Sequence, residues 1–343
     1  MSAFSIFRGE FILCFMDKIE SVAKEIGVDC KMASASSLST FKGGGRARVF
    51  RVESVIETCA LASVLQREKI DFSIIANGSN TLVSDGTCKS ALIDVRSLCA
   101  IKVEKDGILA QCGAGVNNLN RVARNASFFG LDFLSGVPCS LGGAVKMNAG
   151  AFSSQTSDYV QEIYVLSADI ANCDKILREY EREKTQGEKH LFDRRSCAFE
   201  SIRECVESGF VKAVKASCVE WGYRKGAIGI VLGAKLDLAR DDDKKSASVA
   251  KSYLEKRREK QPALPSLGST FKNGEVPSGK LIEGCGLKGK RRGGAMISEK
   301  HANFIVNTGG GSASDYLALV GECERRVFEE YGIALEQEFV LVR

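Results

Sequence analysis

Three loops rich in glycine and small polar residues are the parts of the sequence best suited to hold a ligand. Residues 77–86 read NGSNTLVSDG after a predicted strand, and the backbone N–H groups of such a loop can form a nest for a pyrophosphate. Residues 134–152 carry few bulky side chains after Pro138, so a flat ligand could lie against their backbone. Residues 265–273 read PSLGSTFKN, in which a Gly-Ser turn precedes an aromatic residue and two polar groups.

Two further motifs need a choice between function and structure. Residues 284–289 match G-x-G-x-x-G, but KLIE before them is typical of a helix and KRRGG after them cannot open one well, so no Rossmann site is predicted. Four basic residues nearby form either a solvated loop or a phosphate site; they are Lys288, Lys290, Arg291 and Arg292. His190 and His301 are too few for a Ser-His-Asp triad or a multi-histidine metal site, and no metal is expected.

The 343-residue chain has the composition of a folded globular protein, with 44% hydrophobic and 27% charged residues. Its net charge of +5 is too weak for a dedicated nucleic-acid binder but is compatible with an anionic small-molecule substrate. The 13 cysteines are odd in number and include no C-x2-4-C pair, so we expect neither a disulfide framework nor a zinc site. No segment resembles a secretory signal or a membrane span, and we therefore expect a cytoplasmic protein with reduced thiols.

Periodicity places these loops among helices and strands of an α+β protein. Ser54 and Glu57 form a capping box that opens a helix, Ser314 is predicted to cap a later helix and Gly332 to end it. Further helices are predicted over about 116–126 and 246–260, the second stopped by a proline. Strands are predicted over 72–76, 91–95, 108–112, 228–238 and 339–342.

Taken in order, the three loops and four further motifs resemble the UDP-N-acetylenolpyruvoylglucosamine reductases (UDP-N-acetylmuramate dehydrogenases). The further motifs are STFKGGGRA (39–47), WGYRK (221–225), LIEGCGLKGKRRGGAMISEKHANFIVN (281–307) and LEQEF (335–339). The resemblance covers the chain from about residue 38 onward. The interval between Arg224 and Ser269 is too short for the tyrosine-bearing loop of one subclass, so the chain resembles the subclass that lacks it.

The resemblance implies an FAD-binding module in two parts, of the vanillyl-alcohol oxidase (PCMH) type, and a C-terminal α+β substrate domain. We place FAD-binding subdomain 1 at residues 15–96, completed by a C-terminal strand within 335–343. FAD-binding subdomain 2 is placed at 97–240 and the substrate-binding domain at 241–334, after the hydrophilic break DDDKKS.

The implied activity is the NADPH-dependent, FAD-mediated reduction of UDP-N-acetylenolpyruvoylglucosamine to UDP-N-acetylmuramate in peptidoglycan synthesis. FAD is expected to be non-covalent and NADPH a co-substrate, with NADH left open; the protein is expected to be a monomer without nucleic-acid or membrane partners. Ser269 matches the family's proton donor, Arg224 the arginine that binds the substrate carboxylate, and Glu338 the carboxylate that assists enolate stabilisation.

The resemblance also implies the binding residues. Substrate contacts are expected from Tyr223, Lys272 and Asn273, with Arg257 or Arg258 at a phosphate. FAD contacts are expected from the small-residue loops, at Asn77, Gly78, Ser79, Asn80, Gly113, Gly136, Pro138, Ser140, Gly142, Gly143, Ala144, Asn148 and Ala149.

Several positions depart from the family pattern. Cys139 and Ser153 each replace a glycine, and Gln155 stands where an acid is usual. About 70 residues separate the 134–152 loop from WGYRK, roughly twice what the family needs. We therefore expect an insertion at about 156–218, which its charge and lack of periodicity predict to be exposed and peripheral to catalysis.

Alternatives remain for one residue and for the function. FDRRSCAF (192–199) also resembles the arginine motif, which would make Arg195 the functional arginine; Arg224 is preferred because Tyr223 and the following buried strand fit the family. The alternative functions are an oxygen-using FAD oxidase of the same superfamily and a non-catalytic UDP-sugar-binding protein. A yellow colour from bound flavin would distinguish an enzyme from the last of these.

Overall fold

A mixed four-stranded sheet with a helix on it forms the N-terminal part of the computed structural model, which describes residues 18–167, 173–187, 198–241 and 245–343. The strands run in the order β1-β2-β5-β3, with β2, β5 and β3 parallel to one another. Ser54 caps α2 as predicted, because its Oγ accepts a hydrogen bond from Glu57 N at 3.2 Å. The elements are α1 (18–26), β1 (Cys30–Ser34), β2 (Arg46–Arg51), α2 (Val55–Arg67), β3 (Phe72–Ile75), β4 (Thr81–Val83) and β5 (Ala91–Asp94).

A five-stranded antiparallel sheet follows, in the order β12-β11-β13-β7-β6. Its strands are β6 (Ile101–Glu104), β7 (Gly107–Gln111), β11 (Val160–Leu166), β12 (Val211–Lys215) and β13 (Val231–Asp237). The helices of this part are α3 (Val116–Asn125), α4 (Leu141–Lys146), α5 (Cys173–Gly187) and α6 (Ala198–Glu207). Two-residue strands complete it: β8 (Phe128–Phe129), β9 (Gly150–Ala151), β10 (Ser154–Gln155) and β14 (Ala239–Arg240).

The prediction of an exposed insertion over about 156–218 is wrong for its strands. β11 lies inside the five-stranded sheet, paired with β12 on one side and β13 on the other. Its Ile163 is fully buried, and Ile202 of α6 belongs to the same core. The buried residues of β11, Val160, Ile163 and Leu166, do not alternate along the strand, and charged residues occupy the exposed positions of α6, so the sequence conceals this buried face. The segment is therefore part of the scaffold.

The C-terminal part packs a three-stranded sheet against a long helix, and its last strand returns to the N-terminal part. β18 pairs in parallel with β4. The nineteen-residue α9 begins after Ser312, two residues before the predicted cap, and ends at Gly332 in the left-handed conformation as predicted. The elements are α7 (Ser246–Lys260), α8 (Ser278–Gly284), β15 (Arg291–Arg292), β16 (Ala295–Ile297), β17 (Ile305–Asn307), α9 (Ala313–Tyr331) and β18 (Val340–Val342).

Buried side chains of the described residues form three cores: a large one under the first two sheets, a second in the C-terminal part, and a small third one in the N-terminal part that includes Val342 of β18. The first runs without a break across residue 96, and the second includes Phe41 and Leu82 from the N-terminal part. Both Asp85 carboxylate oxygens accept hydrogen bonds from the first residues of α9, at 2.9 Å from Ala313 N and 2.8 Å from Ser314 N. The α+β class is confirmed, whereas the domain boundaries stay predictions. Within the described ranges, no helix has the length and apolarity to cross a membrane.

Candidate active site

A tight turn over residues 222–225 presents Tyr223 and Arg224. Gly222 N donates to Lys225 O at 2.9 Å, and Lys225 N donates back to Gly222 O at 3.1 Å. Arg224 takes a φ of +57°, a left-handed conformation that is uncommon for any residue other than glycine, asparagine or aspartate. Strain of this kind persists only where the surroundings fix the chain, and it is typical of functional sites.

Arg224 forms a largely buried ion pair with Glu338. Arg224 Nε lies 2.6 Å from Glu338 Oε1, and the two side chains are 15% and 11% exposed. The other oxygen, Glu338 Oε2, is buried and has no hydrogen-bond partner among the described residues. A buried carboxyl oxygen without a partner is costly, so this atom is positioned to meet a ligand.

The protonation of Glu338 depends on opposing influences. Burial raises the pKa of Glu338 above that of an ordinary glutamate, and the positive charges of Arg224 and Lys272 oppose this rise. A carboxyl group with a raised pKa keeps its proton to higher pH and can then donate a hydrogen bond to a developing negative charge.

The segment that contains Ser269 is hydrogen-bonded to the segment that ends in Glu338. Glu338 N donates to Thr270 O at 2.9 Å, and Lys272 N donates to Glu336 O at 2.8 Å. Ser269 is half-buried and follows Gly268, whose φ is +80°. Ser269 directly precedes Thr270, the residue whose carbonyl oxygen accepts the hydrogen bond from Glu338 N. The structure therefore brings Ser269, Arg224 and Glu338 into one region.

Two predicted substrate residues join the same region. Asn273 N donates to the Tyr223 hydroxyl at 3.2 Å, which ties the end of the PSLGSTFKN segment to the arginine turn. Lys272 forms an ion pair with Glu336, a residue that the sequence analysis did not select. Glu336 precedes Glu338 by two residues, which places both side chains on the same face of an extended segment. This spacing is the feature of the sequence that could have indicated Glu336.

The loop at residues 77–80 also contacts the Glu338 segment. Gly78 has a φ of +59°, and a Cβ atom there would lie 1.9 Å from Leu38 O, so only glycine fits. Asn80 Nδ2 donates to Glu338 O at 3.0 Å, and Asn80 O accepts from Val340 N at 2.8 Å. The Asn80 side chain therefore holds the backbone of Glu338, while Asn77 and Ser79 are half-buried.

The 134–152 loop has the open backbone that a flat cofactor needs. Gly136, Pro138 and Gly143 are exposed, and Ser140 Oγ caps α4 by accepting from Gly143 N at 3.3 Å. Behind this surface the chain is closely packed, because a Cβ atom at Gly113 would lie 2.1 Å from Val95 O and one at Gly142 would lie 2.8 Å from Cys112 Cβ. Ala144 is buried and Ala149 half-buried. These residues fit FAD as a flat ligand on the backbone.

Asn148, a predicted FAD contact, uses its side chain elsewhere. Asn148 Nδ2 donates to Gly222 O and to Gln155 Oε1, each at 3.1 Å, and Oδ1 accepts from Ser157 N at 3.0 Å. The side chain thus connects the end of α4 to the turn that carries Arg224.

Arg257 anchors the start of the loop at residues 134–152. Its Nε donates to Ser135 O at 3.0 Å and its Nη2 to Phe133 O at 2.8 Å. Burial lowers the pKa of Arg257. The phosphate contact assigned to Arg257 or to the exposed Arg258 stays a prediction, and Arg195 lies outside the described residues.

The departures from the family pattern have different structural consequences. Cys139 does not take a positive φ, and burial raises the pKa of its thiol to about 12, so it is an uncharged small side chain in the loop. Phe152 and Ser153 form the tip of the β9–β10 hairpin with φ values of +55° and +64°, where glycine would be free of strain. The Phe152 ring stacks on Tyr253 of α7 at 4.5 Å between centroids, which supports the tip.

The basic cluster is partly neutralised. Lys288 Nζ lies 2.6 Å from Glu283 Oε1, and Lys290 Nζ lies 2.7 Å from Glu322 Oε1. Arg291 and Arg292 are exposed. Among the residues that the structure covers, no group of three or more His, Cys, Asp or Glu side chains could hold a metal ion.

Comparison with known proteins identifies the family. A family model described as "UDP-N-acetylenolpyruvoylglucosamine reductase, C-terminal domain" matches residues 260–342, and one described as "FAD binding domain" matches residues 47–169. The UDP-N-acetylenolpyruvoylglucosamine reductase of Caldanaerobacter subterraneus subsp. tengcongensis is 34% identical over 330 residues, which cover 95% of this chain and 97% of that protein. The reductase of Clostridium botulinum (strain 657) is 33% identical over 311 residues, 89% of each chain.

A solved structure supports the same family assignment. The crystal structure of UDP-N-acetylenolpyruvylglucosamine reductase from Thermus caldophilus has a TM-score of 0.69 and 27% identity, and the match covers 92% of this chain and 100% of that one. The fold with an FAD-binding module and a C-terminal domain is confirmed, and the chain belongs to the family of the FAD-dependent UDP-N-acetylenolpyruvoylglucosamine reductases.

Proposed function

We propose that this protein reduces UDP-N-acetylenolpyruvoylglucosamine to UDP-N-acetylmuramate, with NADPH as the reductant and FAD as the bound cofactor. The observation that carries the proposal is the Arg224–Glu338 pair with its partnerless Oε2, next to the segment of Ser269. The reaction adds a hydride to the vinyl carbon and a proton to the carbon that bears the carboxylate. A site for it needs positive charge, a hydrogen-bond donor and an acid.

The cofactor supplies the redox chemistry: FAD, once reduced by NADPH, is the source of the hydride. The 77–80 and 134–152 loops would hold it, chiefly through their backbone. The packing behind Gly78, Gly113 and Gly142 fixes the position of these loops.

The charged residues act on the substrate carboxylate. Arg224 offers a guanidinium that binds this carboxylate and attracts the negative charge that develops on it as an enolate. Glu338, protonated, donates a hydrogen bond to the same charge. Lys272, Asn273 and Tyr223 lie beside this pair and are assigned to substrate binding.

Ser269 completes the addition. Its hydroxyl gives its proton to the carbon next to the carboxylate, and the serine regains a proton from solvent. The product then carries one added hydride and one added proton, which balances the oxidation of NADPH to NADP⁺.

The test follows the two halves of the reaction separately by flavin absorbance. We expect NADPH to bleach the bound flavin without oxygen and the enolpyruvyl substrate to restore its colour. Flavin that oxygen reoxidises but the substrate does not would refute the proposal in favour of an oxidase, and protein that lacks flavin would favour a UDP-sugar-binding protein. Nothing in the comparisons supports either alternative.

The cellular setting is part of the same proposal. The proposal includes a cytoplasmic location, a monomeric state and no nucleic-acid or membrane partners. Analytical ultracentrifugation of the FAD-loaded protein checks the monomer, and a sedimentation coefficient that corresponds to a dimer would contradict it.

A further inference from the structure

Asn148 is a buried side chain whose polar atoms all have protein partners. It is 2% exposed, its φ is +41°, and its amide bonds to Gly222 O, Gln155 Oε1 and Ser157 N. Both hydrogens of the amide are used in this way. The Asn148 side chain therefore has no N–H left for a cofactor, although it lies near the end of the 134–152 loop.

The turn over residues 222–225, which carries Arg224, packs against the end of α4 close to Asn148. Gly226 N donates to Lys146 O at 3.2 Å, and a Cβ atom at Gly226 would lie 1.9 Å from Val145 O. The turn thus contacts the end of α4 at two points, through the Asn148 amide before Arg224 and through the Gly226 backbone after it. The left-handed φ of Arg224 lies between these two contacts.

We propose that Asn148 is a positioning residue that holds the 222–225 turn against α4, so that Arg224 stays in contact with Glu338. Without the amide bond to Gly222 O, one of the two contacts is lost and the strained Arg224 can relax. The Arg224 guanidinium then moves away from the Glu338 carboxyl group and from the position in which it binds the substrate carboxylate. This inference rests on the proposed function, because it assigns a role in the substrate half of that reaction.

The variant Asn148→Gly tests the role, because it removes the amide and a glycine accepts a φ of +41° without strain. The matched control is Gln155→Ala, which removes an exposed partner of the same amide and leaves the bond to Gly222. In Asn148→Gly we expect FAD content and flavin bleaching by NADPH within roughly twofold of the parent. We expect reoxidation by the substrate to slow by about 10- to 100-fold, as a small misplacement of a catalytic group does. In Gln155→Ala both halves should match the parent.

A pH profile distinguishes positioning from a general loss of structure. The charged or titratable groups that act on Glu338 are Arg224, Lys272 and Tyr316. We expect only Arg224 to move in Asn148→Gly, so the limb of the profile that reports Glu338 should shift upward by about one unit, as the loss of a close opposite charge produces. A merely structural role leaves that limb in place.

Three results would overturn the assignment. Loss of FAD from Asn148→Gly would make the side chain a cofactor ligand, equal slowing of both halves would make it a general stabiliser, and an unchanged reoxidation rate would give it no role. Where Asn148→Gly fails to fold, Asn148→Asp keeps the size but places an oxygen against Gly222 O, and the same selective loss is expected. A parent protein whose flavin the substrate does not reoxidise refutes the proposed function and this role with it, whereas a functional parent isolates the role of Asn148.

Discussion

Replacing Arg224 with alanine removes one half of the buried pair with Glu338 and tests the centre of the site. The lost contact is charge-assisted and largely desolvated, so we expect the loss of about 2–4 kcal/mol of transition-state stabilisation. This corresponds to about 30- to 1,000-fold in the rate of reoxidation by substrate, since each 1.36 kcal/mol is tenfold. Bleaching by NADPH, followed by stopped-flow absorbance, should stay near the parent rate because it needs no substrate carboxylate.

The same change should destabilise the fold in a pH-dependent way. Removal of one partner from a buried pair typically costs about 3–5 kcal/mol, because the remaining charge has no partner. Burial already raises the pKa of Glu338 above the ordinary glutamate value of 4.5, and we expect the pKa to rise further without Arg224. A group whose pKa is higher in the folded state favours folding below its unfolded pKa and loses this effect as pH rises through the folded pKa. The stability deficit of Arg224→Ala, measured by urea unfolding, should therefore be smallest below about pH 4.5 and grow toward neutral pH.

Two controls separate charge from backbone and from the rival arginine. Arg224→Gly should lose as much activity as Arg224→Ala but be more stable by about 1 kcal/mol, because glycine accepts a φ of +57°. Arg195→Ala should stay within about threefold of the parent rate. A dead Arg195→Ala enzyme beside a functional Arg224→Ala enzyme would refute the reasoning and move the carboxylate site to the FDRRSCAF segment.

Three further outcomes are expected. Ser269→Ala should stay yellow and be bleached by NADPH at the parent rate, while its reoxidation by substrate is slowed, because Ser269 acts only when the enolate is protonated. Equal slowing of both phases in stopped-flow would show that the serine has been wrongly assigned. Gly78→Ala should lose FAD and more than about 2 kcal/mol of unfolding free energy, because residue 78 has a positive φ and its new Cβ would lie 1.9 Å from a carbonyl oxygen. An FAD content and a urea midpoint like those of the parent would contradict this. Ile163→Ala should cost about 2–5 kcal/mol in urea unfolding, as for a core position, and a change near zero would restore the view of 156–218 as peripheral.

Local patterns predicted the elements whose signals are local. The predicted bounds of α7, 246–260, agree with the structure, because a proline two residues later stops the helix. The end of α9 at Gly332 and the start of α2 after Ser54 were likewise set by capping residues close in sequence. The loops that hold the site were found because glycine and small polar residues are needed wherever the backbone must turn or pack closely.

What local patterns missed depends on partners far away along the chain. β11 pairs with β12 and β13, about 50 and 70 residues later, and its buried residues recur at every third position, so the sequence shows no alternation to detect. The contacts of Asn148 and Glu336 were missed for the same reason, since each is a hydrogen bond or ion pair across the fold. Family resemblance selected Arg224 and Glu338 separately, but only the structure shows that they are paired.

The parallel pairing of β18 with β4 has a consequence for synthesis of the protein. Val340 pairs with Thr81, a residue that leaves the ribosome 259 positions earlier (340 − 81). At elongation rates of about 5–20 residues per second, β4 waits for about 13–50 s before its partner strand exists. Glu338, whose backbone Asn80 holds, is synthesised just before this strand, so a nascent chain cannot assemble the Arg224–Glu338 pair early. Activity should therefore appear only after the final strand is released, and a chain cut before residue 338 should have neither the pair nor a protected β4 edge.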